Sequence, residues 1–108
     1  MTEITFVKSN DKYRGFECHG HADYADEGED VVCAGISALT INTMNSIDHF
    51  LDDVLEITSN SESGDIQCYV IGDISKEATL LFDSLYLGLT MIADQYGERF
   101  VKVEIQEV

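Results

Sequence analysis

The chain has no proline and no tryptophan, only 6 basic residues among 108, and no apolar run long enough to span a membrane. Without proline, no X-Pro isomerisation can slow folding. Against those 6 basic residues stand 21 acidic ones, for a formal net charge of −15. Such a surface repels phosphate backbones and anionic lipid, which argues against direct nucleic-acid or membrane binding and favours a basic partner. Plain solubility accounts for the same charge. No basic-then-apolar leader opens the sequence, so the expectation is a soluble cytoplasmic protein. The 3 cysteines fit that compartment, because an odd number cannot all pair within one chain and a reducing cytosol keeps them as thiols. The length suits one domain, residues 1–108, around a single core.

What is present is hydrophobic periodicity. Thr2 to Lys8 alternates, with Ile4 and Phe6 on one face and Thr5 and Val7 on the other, as a strand does. Ser9-Asn10-Asp11-Lys12 is a turn, and Tyr13 to Gly20 returns as an antiparallel strand with Phe16 and Cys18 opposite Glu17 and His19. Beyond Asp30, residues Ile36, Leu39, Thr43, Ile47, Phe50, Leu51 and Val54 fall on one helical face, predicting a helix from about Val31 to about Asp53. Leu55 to Thr58 and Asp65 to Gly72 read as a second hairpin. Ser75 can cap a second helix that buries Ala78, Leu81, Phe82, Leu85, Leu89, Ile92 and Tyr96 and stops at Gly97; Phe100 to Gln106 is a last strand. The order ββαββαβ predicts an α+β, two-layer fold with two helices packed on one face of a largely antiparallel sheet. Cys18 and Cys68 belong to the core in this reading, while His19 and His49 face solvent.

The chemistry concentrates between His19 and Asn42. With Asp30 as N-cap, Cys33 falls in the first helical turn, where unpaired N–H groups and the dipole favour a thiolate. The same N–H groups, those of Cys33 and Ala34, are candidates to receive the oxyanion formed when a thiolate attacks a carbonyl. His21, 12 positions earlier (33 − 21) at the exit of the second strand, is the natural base, and the intervening loop is long enough to fold back. A buried helix-face cysteine and a surface histidine are the bland alternatives. Zinc is a competing reading for Cys18, His19, His21 and Cys33, but adjacent strand residues point to opposite faces and no Cys-x-x-Cys unit is present, so no metal and no cofactor is expected.

The runs Gly20-His21-Ala22 and Asp30-Val31-Val32-Cys33-Ala34-Gly35-Ile36-Ser37-Ala38 resemble the signature of the ribosomal-processing cysteine protease (Prp) family, and length and element order match over the whole chain. The resemblance implies removal of a short N-terminal extension from a large-subunit ribosomal protein, with His21 as catalytic histidine and Cys33 as nucleophile. It also implies a homodimer, and it gives Asp30 and Ser37 as motif positions. On the residues alone, Asp30 can cap the helix or orient His21, and Ser37 can hydrogen-bond within the site or back to helix carbonyls. Ala34 and Gly35 either let a substrate backbone approach or allow tight helix packing.

The acidic loop residues Asp23, Asp26, Glu27, Glu29 and Asp30 oppose a nearby thiolate, yet turned outward the first four can hold the cationic residues of a basic ribosomal protein substrate. Two rivals stay open. One is a non-catalytic acidic adaptor that binds basic ribosomal protein during ribosome assembly; the other is a different thiol hydrolase or acyltransferase using the same pair.

Overall fold

The computed structural model describes residues 1–22, 24–26, 30–60 and 62–108. Its first hairpin is set by its turn: Asn10 and Asp11 have φ 53° and 63°, the left-handed conformation these two residue types tolerate best after glycine. A two-residue turn of that kind matches strand twist, so β1 (Thr2–Ser9) and β2 (Lys12–His19) pair directly, with Ser9 opposite Lys12. The register slips once, between Val7 and Lys8, which leaves Arg14 as an extra residue on β2. That bulge turns Tyr13 inward, so Tyr13, Phe16 and Cys18 are all buried on one side.

α1 spans Val31–Phe50, β3 Val54–Ser59, β4 Ile66–Ile71, α2 Lys76–Tyr96 and β5 Val101–Glu107. The sheet runs β3-β4-β2-β1-β5, antiparallel except for β5, which α2 carries across to lie parallel to β1. The ββαββαβ order and the two helices over one largely antiparallel sheet are as the periodicity predicts. Both caps of α2 are too: the Ser75 side chain accepts from the Ala78 N–H, and Gly97, at φ 100°, ends the helix. Asp53 adds a brace, since its carboxylate accepts both the Ser75 N–H (2.8 Å) and hydroxyl (2.6 Å).

The core lies between layers. Ile4, Phe6, Phe16, Cys68 and Val101 from the sheet meet Phe82, Leu85 and Leu89 of α2 and Val32, Ile36 and Ile47 of α1. Fully burying each of the large side chains among them contributes about 1.5–3 kcal/mol. α1 packs chiefly on α2, and Gly88 permits it, because a Cβ there would sit 2.9 Å from Leu39 Cδ1.

Two sequence expectations need correction. α1 stops at Phe50 rather than near Asp53, and Phe50 is 75% exposed while Val54 has passed into β3 and is 60% exposed. The apolar face ends at Ile47; the residues buried between its ends include Thr40 and Met44. Thr40 is accommodated because its hydroxyl donates to the carbonyls of Ile36 (2.9 Å) and Ser37 (3.2 Å).

Candidate active site

β2 ends at a glycine for two reasons. Gly20 adopts φ 82°, and a Cβ there would lie 2.6 Å from the Met1 carbonyl oxygen, so only glycine lets the strand leave the sheet at this point. His21 follows, exposed, and the β3–β4 turn backs it: a Cβ on Gly64 would lie 3.6 Å from His21 Cε1. That turn is itself built by Asn60, whose side chain accepts the N–H groups of Glu62 and Ser63. Its last residue, Asp65, reaches back to the strand exit, with Oδ1 accepting the Gly20 N–H (3.3 Å) and Oδ2 lying 3.6 Å from His19 Nδ1. The Gly20 N–H, opposed by burial and helped by His19, holds the Asp65 carboxyl below the usual carboxylate range.

The other wall is the start of α1. Asp30, extended at φ −79° and ψ 100°, is the N-cap: its Oδ1 accepts the N–H groups of Val32 (2.9 Å) and Cys33 (3.0 Å). Its Oδ2 accepts the Tyr24 N–H (3.0 Å), which ties the loop to the helix. Burial alone would raise the Asp30 carboxyl, but N–H groups of Cys33, Tyr24 and Ala25 and the Cys33 side chain outweigh it and hold it low. Tyr24 is anchored further by edge-on contacts with Tyr96 and Phe100, each at 5.2 Å between ring centroids.

The two walls meet through sulfur. The buried Ala22 N–H donates to Cys33 Sγ at 3.2 Å, so the residue after His21 contacts the thiol directly. A donor aimed at sulfur favours its anion, while the Asp30 carboxylate that the Cys33 side chain bonds opposes it. His21, Cys33 and Ser37 line one cavity of about 100 Å³, with Thr2, Cys18, Gly20, Ile36, Thr40, Gly64 and Ile66 completing it.

The remaining predicted residues fall elsewhere. The Cys33 and Ala34 amides, expected to serve an oxyanion, are already engaged: Cys33 N–H bonds Asp30 Oδ1, and Ala34 N–H bonds the Asp30 carbonyl (3.0 Å). Capping and helix propagation claim both donors. Ala34 is exposed, and Gly35 faces Ile92 of α2, where a Cβ would meet Cδ1 at an ordinary contact of 3.5 Å. The Asp30 carboxylate serves the cap and the loop rather than His21 among the described contacts. Cys18 and Cys68 are buried and His49 is exposed, as expected; His19 is half-exposed on the outer sheet face beside Asp65. Asp26 is exposed, while Asp23, Glu27 and Glu29, together with Gly28, lie outside the described residues.

Sequence reasoning gave Ala22 only as part of the Gly20-His21-Ala22 run, without a role, and missed Asp65. No local signal marks Asp65, which comes to the strand exit only because β2 pairs with β4, with Cys18 opposite Ile66.

Comparison with known proteins bears on this arrangement. Over 79 residues, 73% of this chain and 74% of the relative, it is 29% identical to the ribosomal processing cysteine protease Prp of Staphylococcus aureus strain Mu50. It is 40% identical over 48 residues, 44% of this chain and 43% of the relative, to the Bacillus subtilis protein of the same name. A crystal structure of the S. aureus ribosomal processing protease Prp with a covalently linked product peptide superposes with a TM-score of 0.92 at 22% identity, covering 98% of this chain and 100% of that one. The SMU.848 protein of Streptococcus mutans gives 0.84 at 26% identity, covering 100% and 96%. The model of the cysteine protease Prp family matches residues 1–101, four of the five strands and both helices, and the chain belongs to that family of cysteine proteases.

Proposed function

We propose that this cysteine protease removes the N-terminal extension of a large-subunit ribosomal protein, with Cys33 as nucleophile and His21 as its base. The observation that carries the assignment is the shared cavity: a thiol at a helix start and an imidazole at a strand exit open onto the same space, joined by the Ala22 N–H on sulfur. His21 takes the Cys33 proton, the thiolate attacks the scissile carbonyl, and His21 then protonates the leaving amine. Water releases the acyl group in the second half-reaction. With the Cys33 and Ala34 amides committed, this reading assigns the oxyanion to the Ser37 hydroxyl on the cavity lining and, as sulfur moves onto carbon, to the Ala22 N–H that bonds it.

The names of the S. aureus and B. subtilis relatives support a ribosomal substrate. In this reading a single domain, residues 1–108, works in the cytoplasm as a homodimer without a cofactor. It meets its basic substrate through Asp23, Asp26, Glu27 and Glu29, and it touches neither nucleic acid nor membrane directly. Among the described residues no helix is long and apolar enough to cross a membrane. For the homodimer, α2 offers an outer stripe of Leu80, Leu87 and Met91, which are 67%, 60% and 62% exposed.

Incubation with the extended ribosomal protein of the same organism, read by intact mass, tests the assignment. Wild type releases one defined N-terminal piece, whereas Cys33→Ala, Cys33→Ser and His21→Ala release none. An uncut substrate that co-purifies with wild type and Cys33→Ala alike would overturn it in favour of an acidic adaptor.

A further inference from the structure

Two of the three cysteines face one space. Cys18, on the helix side of β2, and Cys33, at the start of α1, both line the cavity beside His21. The two side chains lie close enough for charge on Cys33 to be felt at the Cys18 thiol. Cys68 is fully buried one strand away, opposite Phe16, and is not part of the lining. Peptide hydrolysis by His21 and Cys33 gives Cys18 no part, although a valine or alanine would fill a strand position there without bringing a second thiol to the nucleophile.

We propose that Cys18 is the resolving thiol of a reversible redox switch, in which a hydroperoxide oxidises Cys33 and Cys18 captures it as a Cys18–Cys33 disulfide. The proposal rests on Cys33 being the reactive thiol of the site.

The steps balance. The Cys33 thiolate attacks one oxygen of hydrogen peroxide; the S–O bond forms as the O–O bond breaks, sulfur is oxidised to the sulfenic acid, and the departing hydroxide leaves as water with the proton that His21 took from Cys33. The Cys18 sulfur then attacks Cys33 sulfur; the S–S bond forms as the S–O bond breaks, and the departing hydroxide takes the Cys18 proton as a second water. A dithiol returns both residues to thiols. The order of events follows from the surroundings. Cys33 sits at a helix start with the Ala22 N–H on its sulfur, an arrangement that favours the reactive anion. Burial, with help from Asp65 and Cys33, pushes the Cys18 thiol up to about 11, so it stays protonated and inert to peroxide until a sulfenic acid forms beside it.

A disulfide asks for Cα atoms about 4.4–6.8 Å apart, so the cross-link requires the strand exit and the start of α1 to bring Cys18 and Cys33 within that range across the cavity they share. Four residues beyond Cys18 (22 − 18), Ala22 bonds Cys33 Sγ, so the strand exit that carries the resolving thiol also holds its target in place. Once formed, the bond would block the nucleophile and fill its cavity while sparing it irreversible oxidation to the sulfinic acid.

The test needs no substrate, so its failure is distinguishable from failure of the protease assignment. Reduced wild-type protein is exposed to a small excess of hydrogen peroxide and its intact mass and proteolytic peptides are read. The expected product has lost two hydrogens, carries a cross-link between the Cys18 and Cys33 peptides, and is restored by dithiothreitol. Cys68→Ser forms the same bond. Cys18→Ser and Cys18→Ala instead gain oxygen on Cys33 that dithiothreitol does not remove. Oxygen addition at Cys33 of wild type with no cross-link, or a cross-link through Cys68, would overturn the proposal, and because both are read on unmutated protein they do not depend on any variant folding.

Discussion

Asp30 meets two demands with one carboxylate, closing the first turn of α1 through Oδ1 and holding the loop at Tyr24 through Oδ2. Asp30→Ala therefore removes a cap, with a loss of about 1 kcal/mol, and also frees the segment between His21 and Cys33. The expected result is a lower Tm and a fall in kcat larger than the stability change explains. The carboxyl is held below its usual range in the folded protein, so its contribution to stability is fully present above the unfolded value of about 3.9 and is lost as pH falls through the lower folded value. Asp30→Asn keeps an oxygen for the cap but cannot ionise. Melting curves across acid pH check this: the advantage of wild type over Asp30→Asn shrinks below about pH 4 and is constant near neutrality.

At the scale of elements, the site is a joint between the exit of β2, the β3–β4 turn and the start of α1. Gly20 is its tightest point. Gly20→Ala puts a Cβ 2.6 Å from the Met1 carbonyl oxygen in a left-handed conformation, and strain of that kind is worth about 1–3 kcal/mol. The variant is expected to unfold at lower denaturant concentration and to lose activity because His21 shifts with the backbone. Asp65 is a positioning residue at the same joint. Asp65→Ala leaves the Gly20 N–H unanswered and is expected to lower kcat while KM changes little, whereas Asp65→Asn, which retains an amide oxygen for that N–H, recovers most of kcat; steady-state kinetics on a peptide substrate separate the two.

The whole molecule acts through its charge and its uncovered faces. A net charge of −15 would attract the basic substrate proposed above over distances that salt shortens to about 10 Å at 0.1 M. KM for the basic substrate is therefore expected to rise steeply between low and moderate salt, with kcat nearly constant, and a substrate peptide with its basic residues replaced should lose that dependence. The outer stripe of α2 makes a separate prediction about assembly. If the proposed homodimer forms through it, Leu87→Asp, which adds a charge at the centre of an apolar surface, is expected to shift sedimentation toward monomer without lowering Tm, since Leu87 is 60% exposed within one chain.

Local physics determined much of this molecule in advance. Strand alternation, helical periodicity, the Asp30 and Ser75 caps and the Gly97 stop each depend on residues a few positions apart, so the ββαββαβ order and the position of Cys33 at a helix start could be read directly from the chain. The side-by-side placement of β2 and β4 could not, because the pairing of Cys18 with Ile66 joins residues 48 apart (66 − 18), a contact no local pattern encodes. That pairing brings Gly64 and Asp65 to His21. The bulge at Arg14 and the early end of α1 escaped for a related reason: register and helix length are settled by what the rest of the chain packs against them. The amides of Cys33 and Ala34, by contrast, are claimed locally, since the Asp30 carboxylate and carbonyl three and four positions back accept them. Sequence alone could name the sulfur and the imidazole; only the folded chain turned them toward one cavity, set the Ala22 N–H on the thiol, and brought Cys18 to the same lining.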